Sequence, residues 1–154
     1  MDYLDISFDG KYAQRQFGVY IIEITKKASN IKHFYIGVTG DKNPNQGPRS
    51  AIVRLGRHFV CRKGKGDTDN RIARHFNCEE NKFSEYHFRY VYFPIDKYGT
   101  KIDLTKRVFA IESKLNQEFN RRKLNVISSS DNKILDLNET DNNLLKEILK
   151  KLEL

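Results

Sequence analysis

Phe17-Gly18-Val19-Tyr20-Ile21-Ile22-Glu23-Ile24 and, one polar segment later, Ile31-Lys32-His33-Phe34-Tyr35-Ile36-Gly37-Val38 are the two runs on which the reading of this chain turns. Both are rich in β-branched and aromatic residues, which suit a pleated, half-buried surface. The Thr25 to Asn30 segment has the length of a hairpin loop, so the runs are predicted as antiparallel strands. Such a pairing brings two tyrosines, Tyr20 and Tyr35, and two glycines, Gly18 and Gly37, close together.

Before this hairpin, residues 1–16 carry scattered apolar positions and a turn at Asp9-Gly10, a lead-in expected to cover one edge of the sheet. After it, Thr39 to Pro48 is a loop by composition. Ser50 is a predicted N-cap for a helix to about Cys61, with Ala51, Ile52, Leu55, Phe59 and Val60 as its apolar stripe. Arg54 and His58, four apart, share one face of that helix. A second short helix is expected from Asn70 to about Asn77. The alternating Tyr86, Phe88, Tyr90 and Tyr92 read as one face of a third strand, packed under helices and closed by Pro94.

Thr105 or Asp103 is expected to cap a long helix through about Arg122, with Val108, Ile111, Leu115 and Phe119 as a buried stripe. Glu112 lies beside that stripe, where its carboxylate can point along the core edge towards the sheet. Thr140 or Asp141 then caps a last amphipathic helix to Leu154, with Leu144, Leu145, Ile148, Leu149 and Leu152 inward. The elements make an α/β (α+β) domain: a small three-stranded antiparallel sheet flanked by helices, with an extra C-terminal helix over residues 140–154.

The chain has 154 residues, the size of one domain with one core. It has no apolar run long enough to span a bilayer. Its acidic N-terminus lacks the apolar core of a signal peptide, so an intracellular, cytoplasmic location is expected and no membrane partner. A formal charge of +8 favours a polyanionic partner. Arg49, Arg54, Arg57, Arg62, Lys63, Lys65, Arg71 and Arg74 cluster against only Asp67 and Asp69, which points to phosphate. Two cysteines are too few for a disulfide framework and are expected to be reduced and buried. His58, Cys61, His75 and Cys78 formally make four zinc ligands. They follow helical apolar stripes rather than turns, which favours cysteine as a small buried hydrophobe.

The order of these residues resembles the GIY-YIG nuclease family. Gly18-Val19-Tyr20 and Tyr35-Ile36-Gly37 spell its two triplets at hairpin spacing. Arg54 then matches the family's helical arginine, His58 its frequent histidine one turn on, Glu112 its later glutamate and Asn125 its asparagine. The resemblance spans residues 17–126. It departs from shorter members in a longer Gly40 to Pro48 loop, where Asn43, Asn45, Gln46 and Arg49 become candidate DNA contacts. No separate DNA-recognition domain is recognisable.

What the resemblance implies is a metal-dependent DNA endonuclease, of restriction, repair or mobile-element type, acting as a monomer or homodimer. Glu112 would be the protein ligand of one Mg²⁺ or Mn²⁺ ion per active site. Arg54 would bind phosphate, Tyr20 or His58 would act as general base, Tyr35 would orient water or phosphate, and Asn125 would hold the neighbourhood of Glu112. Arg49, Arg57, Arg62, Lys63, Lys65, Arg71 and Arg74 would bind the nucleic acid. The alternative is a non-catalytic nucleic-acid-binding module that keeps the same fold.

Overall fold

The two glycine-tyrosine runs do pair. A computed structural model describes residues 5–40, 43, 46–60, 70–128 and 136–154. Strands β1 (Gly18–Lys26) and β2 (Lys32–Val38) run antiparallel, with Tyr20 opposite Gly37 and Ile22 opposite Tyr35. The hairpin is closed at Lys26, whose N–H donates to the Ile31 carbonyl at 2.9 Å. Asn30 turns the chain at φ 55, a left-handed conformation that asparagine tolerates.

Strand β3 (Tyr86–Pro94) lies antiparallel on the other side of β1. The sheet does not stop at three strands. A two-residue strand β4 (Asn125–Val126) runs parallel to β2, giving the order β3-β1-β2-β4 and a mixed sheet. Two residues are too few to show a period of two, which is why the sequence reading passes over them. The chain reaches that edge by reversing at Lys123, with φ 57, where the preceding helix ends.

Strand alternation sorts the side chains onto two faces. Val19, Ile21, Phe34, Ile36 and Val38 point to one face, under α3 (Lys101–Arg121) and α4 (Glu139–Lys151). On α3 the predicted stripe of Val108, Ile111, Leu115 and Phe119 is wholly buried against them. Tyr20, Ile22, Ile24 and Tyr35 point to the other face, under α1 (Ala51–Arg57) and α2 (Arg71–His75). Tyr86, Phe88, Tyr90 and Tyr92 are half-buried and pack against the core of that second face.

The helix ends differ in detail from expectation. Ser50 caps α1 as predicted, its hydroxyl accepting from Val53 N–H at 3.2 Å. The helix stops at Arg57, and Val60 is exposed. Helix α3 begins earlier, because Thr100 and Asp103 form a reciprocal capping box. Asn138 caps α4 through the Asp141 N–H at 2.8 Å. Asp141, 2% exposed, is instead held by Arg107 of α3 (2.7 Å), which also reaches Asp96 (2.7 Å). That ion pair fastens α4 to α3 and to the chain leaving β3. Among the described residues, no helix is long and apolar enough to cross a membrane.

Candidate active site

Each glycine of the two triplets makes room for a tyrosine. A Cβ on Gly37 would overlap the Tyr20 hydroxyl and stand 2.5 Å from Cζ of the same ring. A Cβ on Gly18 would meet Tyr92 of β3 in the same way. The glycines therefore let two tyrosine rings lie flat across neighbouring strands. Tyr20 stacks on Tyr35 at a centroid distance of 6.1 Å and 27° between planes, and packs tilted against Tyr90 at 5.4 Å and 36°.

Helix α1 brings its polar side chains down onto this tyrosine. The Tyr20 hydroxyl lies 2.7 Å from His58 Nε2, and Arg54 Nε–H donates to the same oxygen at 3.2 Å. Arginine can only donate, so Arg54 gives its proton to the hydroxyl oxygen, while between Tyr20 and His58 the donor is set by the imidazole tautomer. His58 is fully buried, and its carbonyl accepts from the Ala73 N–H of α2 at 2.9 Å. Tyr90 steadies α1 from below, its hydroxyl donating to the Ala51 carbonyl at 3.0 Å. Sequence reasoning missed Tyr90 as part of the site. Its signal was there in the alternating aromatic face of β3.

Burial pushes the Tyr20 hydroxyl well above the ordinary tyrosine pKa, a rise that neighbouring Tyr35 adds to and Arg54 opposes. Burial likewise raises Tyr35, Arg54 lowering it and the Glu112 carboxylate raising it again. Arg71, at the start of α2, also acts on Tyr35. The Glu112 carboxylate thus acts electrostatically on Tyr35 from α3, although that helix covers the opposite face of the sheet. Its helix packs on β2 and on the β4 edge, the side from which it approaches.

Asn125 is not brought to the site. It pairs with His33 in the β2–β4 ladder, is exposed, and its side chain donates to the Lys32 carbonyl at 3.2 Å. The register of β4 places it towards the hairpin end of β2, away from Tyr35. The polar groups between β2 and Glu112 are instead Ser128 and Asn116, which the sequence reading did not single out. A buried asparagine four residues after Glu112 on the same helix was the signal available.

Among the expected nucleic-acid contacts, Arg57, Arg71 and Arg74 are exposed on α1 and α2, and Arg49 is half-buried just before α1. In the preceding loop Asn43 and Gln46 are exposed. Arg62, Lys63, Lys65 and Asn45 lie outside the described residues. Arg54 and Arg71 bring positive charge to the tyrosine pair.

Among the described residues, His58, His75 and Cys78 form no metal-holding group. His58 Nε2 is engaged by Tyr20, while the His75 ring packs on His33 at 5.9 Å. Cys78 is exposed, not buried as expected, because the chain turns out of α2 with Asn77 and Cys78 at φ 55 and 56. Cys61 lies outside the described residues. No group of three or more His, Cys, Asp or Glu side chains among the described residues is placed to hold a metal. Glu112, whose carboxylate acts electrostatically on Tyr35, is a hard oxygen donor of the type that Mg²⁺ takes. That ion keeps most of its waters and takes one or two protein carboxylates together with phosphate oxygens.

Compared with known proteins, the chain matches no family model, no curated protein and no solved structure.

Proposed function

We propose that this chain is a divalent-metal-dependent DNA endonuclease of the GIY-YIG type, hydrolysing phosphodiester bonds at the Tyr20–Tyr35 pair. The observation that carries the reading is the Tyr20 hydroxyl held between His58 Nε2 at 2.7 Å and Arg54 Nε at 3.2 Å. A tyrosine that only filled the core would not need a base on one side and a fixed cation on the other. The sheet is mixed and four-stranded rather than three-stranded antiparallel, and the antiparallel pairing of β1 with β2 and β3 is compatible with the reading.

In this reading the phosphate binds at Arg54, whose guanidinium recognises phosphate oxygens. Tyr20 takes a proton from the attacking water as its own proton passes to His58 Nε2. Burial opposes a free phenolate at Tyr20, so a relay to a neutral imidazole is the easier route. Tyr35, 6% exposed and stacked on Tyr20, lies nearer solvent and orients the water or the phosphate. Glu112 holds the divalent ion, which supplies charge neutralisation at the phosphate and the leaving oxygen when bound. Arg57, Arg71 and Arg74 grip the flanking backbone, each a sequence-independent contact.

The test is nicking and cleavage of supercoiled plasmid with Mg²⁺, with chelator, and with the Glu112→Ala variant. Metal-dependent cutting that Glu112→Ala abolishes is the expected result. Retardation of the DNA without any metal-dependent cutting sinks the catalytic reading and leaves the non-catalytic binding module in its place.

A further inference from the structure

Strand β2 and helix α3 are joined beside the site by three hydrogen bonds in series. The Ile36 N–H, between Tyr35 and Gly37, donates to Ser128 Oγ at 3.1 Å. The Ser128 hydroxyl donates to Asn116 Oδ1 at 3.1 Å, and Asn116 Nδ2 donates to the Glu112 carbonyl at 2.9 Å. Each direction follows from the one before. A backbone N–H can only donate, so the serine oxygen accepts and its proton goes to the amide oxygen, leaving the amide NH₂ for the carbonyl. Asn116 is 3% exposed, where a lost partner is costly.

We infer that Asn116 and Ser128 are positioning residues that hold Glu112 in place relative to Tyr35, so that its carboxylate can receive a divalent cation. The inference rests on the nuclease reading, in which Glu112 is the metal ligand. The apolar stripe of α3 keeps the helix on the sheet through contacts that are non-directional. The series of hydrogen bonds is directional, and it begins at the residue next to Tyr35 and ends on the Glu112 backbone.

The experiment follows Mn²⁺-induced broadening of amide resonances in the ¹⁵N-labelled full chain, beside plasmid nicking as a function of Mn²⁺. Broadening should centre on Glu112 and Tyr35 and vanish in Glu112→Gln. Asn116→Ala and Ser128→Ala should each raise the Mn²⁺ half-point about tenfold, the size usual for partners of a metal ligand. The double variant should be little worse than either single one, and Ser128→Thr should restore the wild-type half-point. Asn116→Asp keeps the side-chain volume and the bond from Ser128 but loses the donor to Glu112, so it should show the same shift. Variants that lose thermal stability while keeping the wild-type half-point would overturn the inference, leaving the bridge purely structural. Wild-type broadening that is absent, or that survives Glu112→Gln, overturns the metal-ligand reading itself and this inference with it.

Discussion

Gly37 and Tyr20 face each other across the central hairpin so closely that the glycine has no room for a side chain. A Cβ there would overlap the Tyr20 hydroxyl and stand 2.9 Å from Cε2 of the ring. The restriction comes from crowding alone, since neither Gly37 nor Gly18 has a positive φ.

Gly37→Ala should therefore push the Tyr20 ring away from His58 and destabilise the fold by about 1–3 kcal/mol, the usual cost of overpacking. Gly10→Ala, with nothing within 4 Å of its added carbon, is the control. Denaturant melts of the two variants check this. Equal stability in both would show that the sheet yields at Gly37.

Tyr20→Phe should lower plasmid nicking about 10²–10⁴-fold, the range for loss of general-base assistance. It keeps the stacked ring, so binding to uncut DNA should change little. Rates close to wild type would remove Tyr20 from the chemistry and leave His58 as the base.

Alkaline pH should weaken the fold in a graded way through the buried tyrosines. Burial is the main cause that pushes Tyr92 up to about 12 in the folded chain. Below pH 10 both folded and unfolded forms keep that proton, and the stabilisation is fully present. As pH rises from 10 to 12, the unfolded chain loses the proton first and stability falls. Wild type should accordingly lose stability faster than Tyr92→Phe between pH 10 and 12. Parallel curves in denaturant titrations would rule out a raised Tyr92.

Arg107→Ala should cost about 3–5 kcal/mol, because it leaves the Asp141 carboxylate, 2% exposed, without its cation. Lys82→Ala, which breaks a surface pair with Glu79 at 3.0 Å, should cost about 0–1 kcal/mol. Urea midpoints for the two variants make the comparison. Similar shifts would mean that water takes the place of Arg107 at Asp141.

Much of this architecture is legible in the residues because periodicity is a strong signal. Valine, isoleucine and aromatic alternation marks β1, β2 and β3, and the 108–111–115–119 spacing marks the buried side of α3. What stays hidden is decided by long-range contact. Arg54 and His58 can be placed on one face of a helix from their spacing. That this face lies on Tyr20 depends on how α1 docks, and no local pattern carries that. Asn125 shows the converse. Its position in the order matches, yet a two-residue strand places it against Lys32. The caps at Thr100 and Asn138 were missed for a simpler reason, since several polar residues at each helix start were equally able to cap.

The sheet also has a temporal consequence. Strand β1 meets β2 across a short turn, but its other edge waits for β3, where Lys26 pairs with Tyr86 and Gly18 with Pro94, sixty or more residues along the chain. Loop closure over that span is slow compared with a local hairpin. Tyr20 and Tyr35 can therefore come together early, from local sequence, whereas Tyr90, Glu112 and the Ser128 link arrive only once distant segments return. The tyrosine pair needs only a local hairpin while Glu112 needs a long-range return of the chain, so an incompletely folded chain can carry the pair without Glu112.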